Sequence, residues 1–176
     1  MKTYYYTNCK NNDLDQNIKL KVDDRPYYLK GAVLEENKLK GYTNYAIGAV
    51  DAQTNKLLGA CSFSISKSKH CQLLSIENEH KYFNHCGIGT KLLQSFENFA
   101  LSQGVNEVIG FIDTTGEFYC KTTDFFVKNG YVLHGDYTVF NPKLTHHDGI
   151  SPVDMNTKAS DDADNDSNTA EKVLTR

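Results

Sequence analysis

Two glycines separated by one residue, Gly87 and Gly89, stand between a strand-like run and a run of apolar residues with helical spacing. Glycine adopts backbone angles that other residues avoid and lets a ligand approach the chain closely. The first N–H groups of a helix have no partner within the helix and therefore bind anions, phosphate above all. The stretch predicts a phosphate cradle at the start of a helix that ends at Gly104.

Two other phosphate-binding motifs fit this stretch less well. A Walker A loop needs four residues between its first glycine and a Gly-Lys-Ser/Thr sequence, and residues 86–91 do not supply them. A dinucleotide-binding fingerprint needs a third glycine where Leu92 stands, and an acidic residue about 20 residues later. The spacing therefore disfavours both motifs.

Ionisable side chains that could move a proton lie just before the cradle. Glu77 and Glu79 stand at the end of the preceding strand, where either could accept a proton directly or through water, although a solvated strand end explains them equally well. Histidine is also a common base, and His80 is a better candidate than His85, which would face solvent or a phosphate. The histidines and cysteines of this region match no common zinc-site spacing, so we expect no metal.

The elements before the cradle predict a sheet. Residues 45–50 and 57–65 are strand-like and flank a turn-forming stretch, which predicts an antiparallel hairpin. Residues 71–78 predict a third strand, in which Leu74 and Ile76 share one face.

The elements after the cradle extend the sheet. Residues 108–112 predict a short strand buried on both faces, because polar residues do not alternate with the apolar ones. A strand, a helix and a strand in this order imply a parallel pair with a right-handed crossover. A second helix is predicted over 117–128, with Gly130 beyond its end, and residues 131–140 form a closing strand or hairpin arm. One side of this helix comprises Phe118, Thr122, Phe125 and Phe126.

The two ends of the chain give weaker signals. Pro26 would start a helix that runs to Lys40 and stops at Gly41, and its apolar face would comprise Leu29, Val33 and Leu34. From Thr145 the pattern of apolar residues stops, and the chain is rich in Asp, Asn, Ser and Thr. We therefore predict one domain over residues 1–144 and an acidic, disordered tail over residues 145–176.

Composition limits the class of protein. The formal net charge is −3, and the predicted tail holds seven acidic and three basic residues, so the remainder is nearly neutral and unlike a nucleic-acid-binding domain. Five scattered cysteines indicate free thiols in a reducing compartment. The sequence has neither an apolar signal-peptide core nor a run of about 18 apolar residues, so we expect a cytoplasmic protein with no membrane partner.

Two motifs resemble those of the GNAT superfamily of N-acetyltransferases. The acyl-CoA-binding motif of that family is Gln/Arg-x-x-Gly-x-Gly/Ala at a helix start, and the chain reads Asn84-His85-Cys86-Gly87-Ile88-Gly89, with Asn at the usual Gln or Arg position. The second hallmark is an aromatic-rich helix ending like FYEKLGF, which residues 124–131, DFFVKNGY, resemble. The order and spacing of the elements over about residues 45–144 are also similar to the family.

The resemblance implies a fold, a donor and a reaction. The fold would be an α/β (α+β) GNAT-like one, with a mixed, mostly antiparallel twisted sheet, flanking helices and a splayed parallel strand pair. Acetyl-CoA would be the co-substrate, and its acetyl group would pass directly to a primary amine of a small molecule or protein. The residues implied to hold the pyrophosphate of coenzyme A, chiefly through backbone N–H groups, are Asn84, His85, Cys86, Gly87, Ile88, Gly89 and Thr90.

The resemblance leaves the proton donor open. Many members place a tyrosine where this chain has Phe126, and phenylalanine cannot donate a proton. Tyr119 lies on nearly the same helix face about 10 Å earlier, so it is a candidate acid, although packing or capping explains it more simply. Phe126 and Asn84 thus favour one alternative to an active enzyme, a GNAT module that binds acyl-CoA without catalysis. A further alternative, acetylation of aminoacyl-tRNA, is disfavoured by the nearly neutral charge of the domain. The acceptor is open, as is self-association into a homodimer.

Overall fold

The computed structural model describes residues 27–78, 87–112, 119–135, 137–156 and 174. Its seven strands form one sheet in the order β1-β2-β3-β4-β5-β7-β6. The strands are β1 Tyr27–Asn37, β2 Tyr42–Asp51, β3 Leu57–Ser66, β4 Cys71–Asn78, β5 Val108–Phe111, β6 Val132–His134 and β7 Thr138–Asn141. The helices of the described residues are α1 Ile88–Ser102 and α2 Tyr119–Lys128. None of the helices in these ranges is long and apolar enough to cross a membrane.

The predicted helix from Pro26 to Lys40 is wrong, because this stretch forms strand β1. Its residues pair antiparallel with β2, from Tyr27 opposite Asp51 to Asn37 opposite Tyr42. The apolar spacing suits a helix locally, but pairing along a whole neighbouring strand supplies hydrogen bonds and burial that outweigh local propensity. Gly41 does not stop a helix; its positive φ of 71° lies in the turn between β1 and β2.

The predicted hairpin is confirmed by β2 and β3. Ile47 pairs with Cys61, and the strands pair antiparallel over almost their full lengths. Asp51 begins the turn, where its Oδ1 accepts hydrogen bonds from the backbone N–H groups of Gln53 and Thr54 at 2.8 and 3.0 Å. Asn55 completes the turn with a φ of 55°.

The third strand is confirmed as β4, but its predicted facing is wrong. Ser75 pairs with Ser62 and Leu73 pairs with Phe63, so the register leaves Leu74 as an extra residue. This β-bulge puts Leu73 and Ile76 on the same buried side of the sheet and leaves Leu74 only partly buried. A bulge depends on the partner strand, which is why the alternation of β4 alone did not reveal it.

The predicted parallel pair is confirmed by β4 and β5. The pairing runs from Cys71 opposite Val108 to Leu73 opposite Gly110, and β4 continues alone to Asn78. The two strands therefore part beyond Leu73. The prediction that β5 is buried on both faces is wrong, because Ile109 and Phe111 are each 38% exposed.

Both described helices pack on one face of the sheet and end as predicted. In α1, the rings of Phe96 and Phe99 lie 4.6 and 5.7 Å from that of Phe63 in β3. After α1, Val105 N–H donates to Ala100 O at 3.0 Å, with the intervening glycine at a φ of 79°. The end of α2 repeats this arrangement with Gly130 at a φ of 86°. Thr122, Phe125 and Phe126, which were predicted to share one side of the helix, are all buried, while the predicted helix residues 117 and 118 lie outside the described residues.

The closing hairpin is confirmed by β6 and β7, and β7 pairs antiparallel with β5. Over residues 142–156 the described chain forms neither helix nor strand, but Val153 and Met155 pack against the main core. This described part of the predicted tail therefore contacts the domain. The domain boundary at residue 144 stays a prediction.

Candidate functional site

Helix α1 begins with a set of N–H groups that have no partner within the helix. Gly87, the residue before its first turn, has a left-handed φ of 78° and no side chain to cap the helix. The first N–H to bond within the helix is that of Lys91, which donates to Gly87 O at 3.0 Å. The earlier N–H groups of the first turn therefore have no partner in the helix, and no acidic residue occupies that turn to repel an anion.

The predicted cradle residues divide into two sets. Gly87 is exposed, and an added Cβ there would meet no described atom within 4 Å, which leaves space for a ligand. Ile88 and Gly89 are buried and Thr90 is partly buried, so they anchor the helix start and offer mainly backbone. The other predicted contacts lie outside the described residues and stay predictions: Asn84, His85 and Cys86.

Contacts along α1 show which end of the sheet its first turn faces. Near its start, the Cys61 thiol lies 3.8 Å from Leu92 O, and Cys61 pairs with Ile76 near the end of β4. Beyond its last turn, a Cβ added at Gly104 would lie 4.0 Å from Cε of Lys69, just before β4. Helix α1 therefore runs antiparallel to β4, and its first turn lies at the end of β4 that has parted from β5.

Of the predicted proton-transfer residues, Glu77 is the one whose side chain the structure describes. It pairs with Ala60, which pairs with Gly48, so these three residues form one cross-strand row. Directly paired residues share a face, and this row lies on the face opposite α1. Glu77 is partly buried there. The structure does not bring the other candidates together with it, because Glu79 lies outside the described residues and Tyr119 is described only as the first residue of α2.

Phe126 occupies the position where a tyrosine was expected, and it belongs to the core. Its side chain is fully buried, with its ring centroid 5.4 Å from that of Phe125 and 5.2 Å from that of Tyr131. Edge-to-face packing of this kind stabilises a core and leaves no path to solvent. The ring therefore packs the domain.

A buried polar cluster away from the cradle was not predicted from the sequence. Glu97 of α1 is 2% exposed and forms a hydrogen bond with Nε2 of His147, and Tyr131 and Asn141 lie beside it. Burial raises the pKa of the Glu97 carboxyl, while the hydrogen bond from His147 lowers it, and burial prevails. The sequence did contain one sign of this burial: Glu97 follows Leu93 by four residues and therefore lies on the apolar side of α1.

The side chains of two of the five cysteines are described; both are free thiols, as predicted, and both are buried in the core. Burial raises the pKa of Cys61 to about 12 and that of Cys71 also to about 12. Both thiols are therefore protonated at neutral pH and behave as small apolar side chains. In the described ranges, no three His, Cys, Asp or Glu residues form a group that could hold a metal ion.

Comparison with known proteins gives structural likeness without sequence matches. No family model matches the chain, and no curated protein sequence matches it. A PaiA N-acetyltransferase from Thermoplasma acidophilum, solved with coenzyme A, is similar at 23% identity and a TM-score of 0.46; the match covers 56% of this chain and 59% of that one. Tetrahymena GCN5 is similar at 12% identity and a TM-score of 0.47, over 59% of this chain and 70% of that one. A Bacillus subtilis acetyltransferase solved with CoA is similar at 12% identity and a TM-score of 0.44; the match covers 64% of this chain and 96% of that one.

The architecture agrees with the fold that the sequence motifs implied. Among the described strands the sheet is mixed and mostly antiparallel, with one parallel pair that parts toward the ends of its strands. A helix that starts at a left-handed glycine connects that pair. By its own topology, this chain has a GNAT-like fold.

Proposed function

We propose that this chain is an N-acetyltransferase of the GNAT superfamily, which moves the acetyl group of acetyl-CoA directly to a primary amine of a small molecule or protein. The observation that carries the proposal is the uncapped first turn of α1 at the end of β4, where β4 has parted from β5. Five features occur together at this turn: a glycine, N–H groups without a partner in the helix, no acidic side chain, a nearby lysine and a gap between two strands.

The donor would bind along this first turn. Backbone N–H groups from His85 to Thr90 would hold the pyrophosphate of coenzyme A, and Lys91, exposed in the same turn, adds a positive charge. Acetyl-CoA would supply an activated acetyl group in the gap between β4 and β5. The backbone of β4 beyond its described pairing with β5 is suited to bind an extended amide-containing arm, in the manner of an added strand.

Glu77 is the described residue best suited to remove a proton from the acceptor amine. It stands near the end of β4, on the face opposite α1, and is only partly buried, so a water molecule can link it to an amine. Loss of that proton frees the nitrogen lone pair for attack on the thioester carbonyl. The leaving thiolate would take its proton from water or from Tyr119.

A second candidate function is favoured by Phe126. Its ring is fully buried, so the usual tyrosine acid of the family has no counterpart at that position. The chain would then be a module that binds acyl-CoA without catalysis. Acetyl transfer remains the leading proposal because a thiolate is an acceptable leaving group without an acid.

Two measurements test the proposal. Acetyl-CoA is incubated with the full chain and a panel of primary amines, and acetylated products are identified by mass spectrometry; we expect product with at least one amine. Thermal unfolding is measured with CoA and with acetyl-CoA, and we expect both to raise Tm. No product alongside a raised Tm would favour the binding module, and an unchanged Tm with both ligands would contradict the donor site.

A substitution at the predicted cradle tests whether coenzyme A binds there. Gly89→Trp would fill the space next to the pyrophosphate and is expected to abolish the rise in Tm. Gly89→Ala is the matched control, because the family motif accepts alanine here and alanine favours helix. Retained binding in the tryptophan variant would contradict the placement of the donor.

A further inference from the structure

The face of the sheet opposite α1 holds a small apolar recess that the proposed function does not use. Gly48 of β2 lies at its floor, and a Cβ added there would come within 2.7 Å of Cδ1 of Leu57. Lys30 pairs with Gly48 on the same face, and the apolar walls of the recess are aliphatic or small. They comprise Ala32, Ala46, Val50 and Leu57, with Leu34 and Ala60 packed against them.

One residue from the far end of the chain fills this recess. Leu174 is 0% exposed, and its Cδ1 would lie 2.7 Å from a Cβ at Gly48. It belongs to the cluster around the recess and not to the main core, where α1 and α2 pack. A branched aliphatic side chain therefore fits the space that the missing side chain of Gly48 leaves.

The recess lies in line with the candidate base. Gly48 pairs with Ala60, and Ala60 pairs with Glu77, so recess and carboxylate share one cross-strand row and one face. Neighbouring strands are about 4.8 Å apart, which puts Gly48 about 10 Å from Glu77. This is the span of a few covalent bonds. Toward β4 the face becomes polar, because Ser62 and Ser75 share a hydrogen bond of 2.7 Å between their hydroxyls.

We propose that the recess at Gly48 receives a branched aliphatic side chain of the acceptor, and that Leu174 of the same chain occupies it in competition with the acceptor. This inference rests on the proposed acetyl transfer and adds the class of acceptor to it. It assigns the acceptor to peptides, or small amines, that carry a leucine-like group about 10 Å from the reacting nitrogen. It also makes Leu174 an intramolecular competitor of the acceptor.

A binding experiment tests the recess without relying on activity. The probe is a fluorescein-labelled peptide with the sequence SNTAEKVLTR, identical to residues 167–176, and binding to the full-length Leu174→Asp variant is measured by fluorescence anisotropy. We expect the variant to bind the peptide about tenfold more tightly than the unsubstituted chain, because a buried leucine shifts an equilibrium by at least that factor. A peptide with aspartate in place of its leucine should not bind.

Matched variants separate this effect from general disturbance. Thr175→Asp adds the same charge one residue away and should leave peptide binding at the level of the unsubstituted chain. Leu174→Ala removes the side chain without adding charge and should behave like Leu174→Asp, which guards against misfolding of the charged variant. Equal peptide binding by all these proteins, or no binding by any, would overturn the proposal and make Leu174 a core residue only.

A kinetic experiment links the recess to the acceptor. With an amine from the panel that carries a leucine-like group, Leu174→Ala should lower the KM for that amine about tenfold and leave the KM for acetyl-CoA unchanged. An unchanged amine KM would overturn the assignment to the acceptor. If no amine is acetylated, the proposed function fails, and peptide binding alone then decides whether the recess takes a leucine side chain.

Discussion

The carboxylate of Glu97, in the middle of α1, is hydrogen-bonded to Nε2 of His147, 50 residues further along the chain. The neighbouring Asn98 adds two bonds to the same residue: its Nδ2 donates to His147 O at 2.9 Å, and its Oδ1 accepts from His147 N–H at 2.8 Å. The segment that follows β7 is therefore tied to α1 at one point through side chain and backbone together. Because the Glu97 carboxylate is buried, this tie depends on its protonation.

Substitution of Glu97 should change the dependence of stability on pH. Burial raises its pKa above the ordinary 4.5, so between 4.5 and the raised pKa the folded chain holds a proton that the unfolded chain has released. The contribution of Glu97 to stability is therefore full below pH 4.5 and falls as pH rises, by at most about 1.4 kcal/mol per pH unit. The groups that face it are His147, Tyr131 and Asn141.

The measurement is the free energy of unfolding by urea from pH 4 to pH 7, for the natural chain and Glu97→Gln. Glutamine keeps a hydrogen-bond acceptor but does not titrate, so the variant should gain stability relative to the natural chain as pH rises. Subtracting the two profiles removes the effect of the titrating groups that do not interact with Glu97. Parallel profiles would show that the Glu97 carboxyl titrates in the folded chain as it does in the unfolded one.

Substitution of Gly31 should detach the segment that lies on β1. A Cβ at this position would come within 2.5 Å of Val153 Cγ1 and of Met155 Sδ, and within 2.9 Å of the backbone oxygen of Asp154. Backbone cannot yield as a side-chain end can, so we expect Gly31→Val to cost about 1–3 kcal/mol. Limited proteolysis with mass spectrometry should show new cleavage between residues 145 and 156. Glu36→Val, an exposed position of the same strand, is the control and should show no new cleavage.

Phe126→Tyr should not create a better catalyst. The ring lies in a fully buried aromatic group, so an added hydroxyl would lose its water without a partner, at a cost of about 1–3 kcal/mol. We expect a lower Tm and an unchanged rate of acetyl transfer. Val127→Tyr places the same side chain at a position that is 51% exposed and should leave Tm nearly unchanged. A faster reaction in Phe126→Tyr would show that the position reaches the reacting atoms.

Lys91→Glu should weaken binding of coenzyme A. The side chain is exposed in the first turn of α1, where a positive charge favours a bound phosphate and a negative one opposes it. A difference of about 1 kcal/mol corresponds to roughly a fivefold higher Kd, measured by calorimetry at low salt, and it should shrink at high salt. Lys143→Glu is the control, because Lys143 is exposed just after β7, at the end of the sheet where β4 begins. Equal Kd values for the two variants would argue against phosphate at the first turn.

Local signals in the sequence predicted much of the fold. The glycines at 87, 104 and 130 have left-handed backbone angles, as positions at helix ends often require, and they marked three helix boundaries. The hairpin of β2 and β3 and the crossover from β4 to β5 followed from strand-like runs, turn residues and the order of elements. Each of these features depends on residues close together in the chain.

The errors share one physical cause, which is that the deciding partner lies far away in the sequence. β1 became a strand through β2, and the bulge at Leu74 arose from pairing with β3. The burial of Glu97 depends on His147, and that of Leu174 depends on the recess at Gly48.

The sequence alone determined the glycine-led start of α1, where the phosphate cradle is predicted, and the order of the strands around it, because short-range backbone requirements reveal these features. The tertiary structure alone decided what surrounds the cradle: which face Glu77 occupies, that Phe126 packs the core, and that the end of the chain returns to the face of the candidate base. Those relations come from strand register and long-range packing, in which each residue is placed by partners that no local pattern identifies.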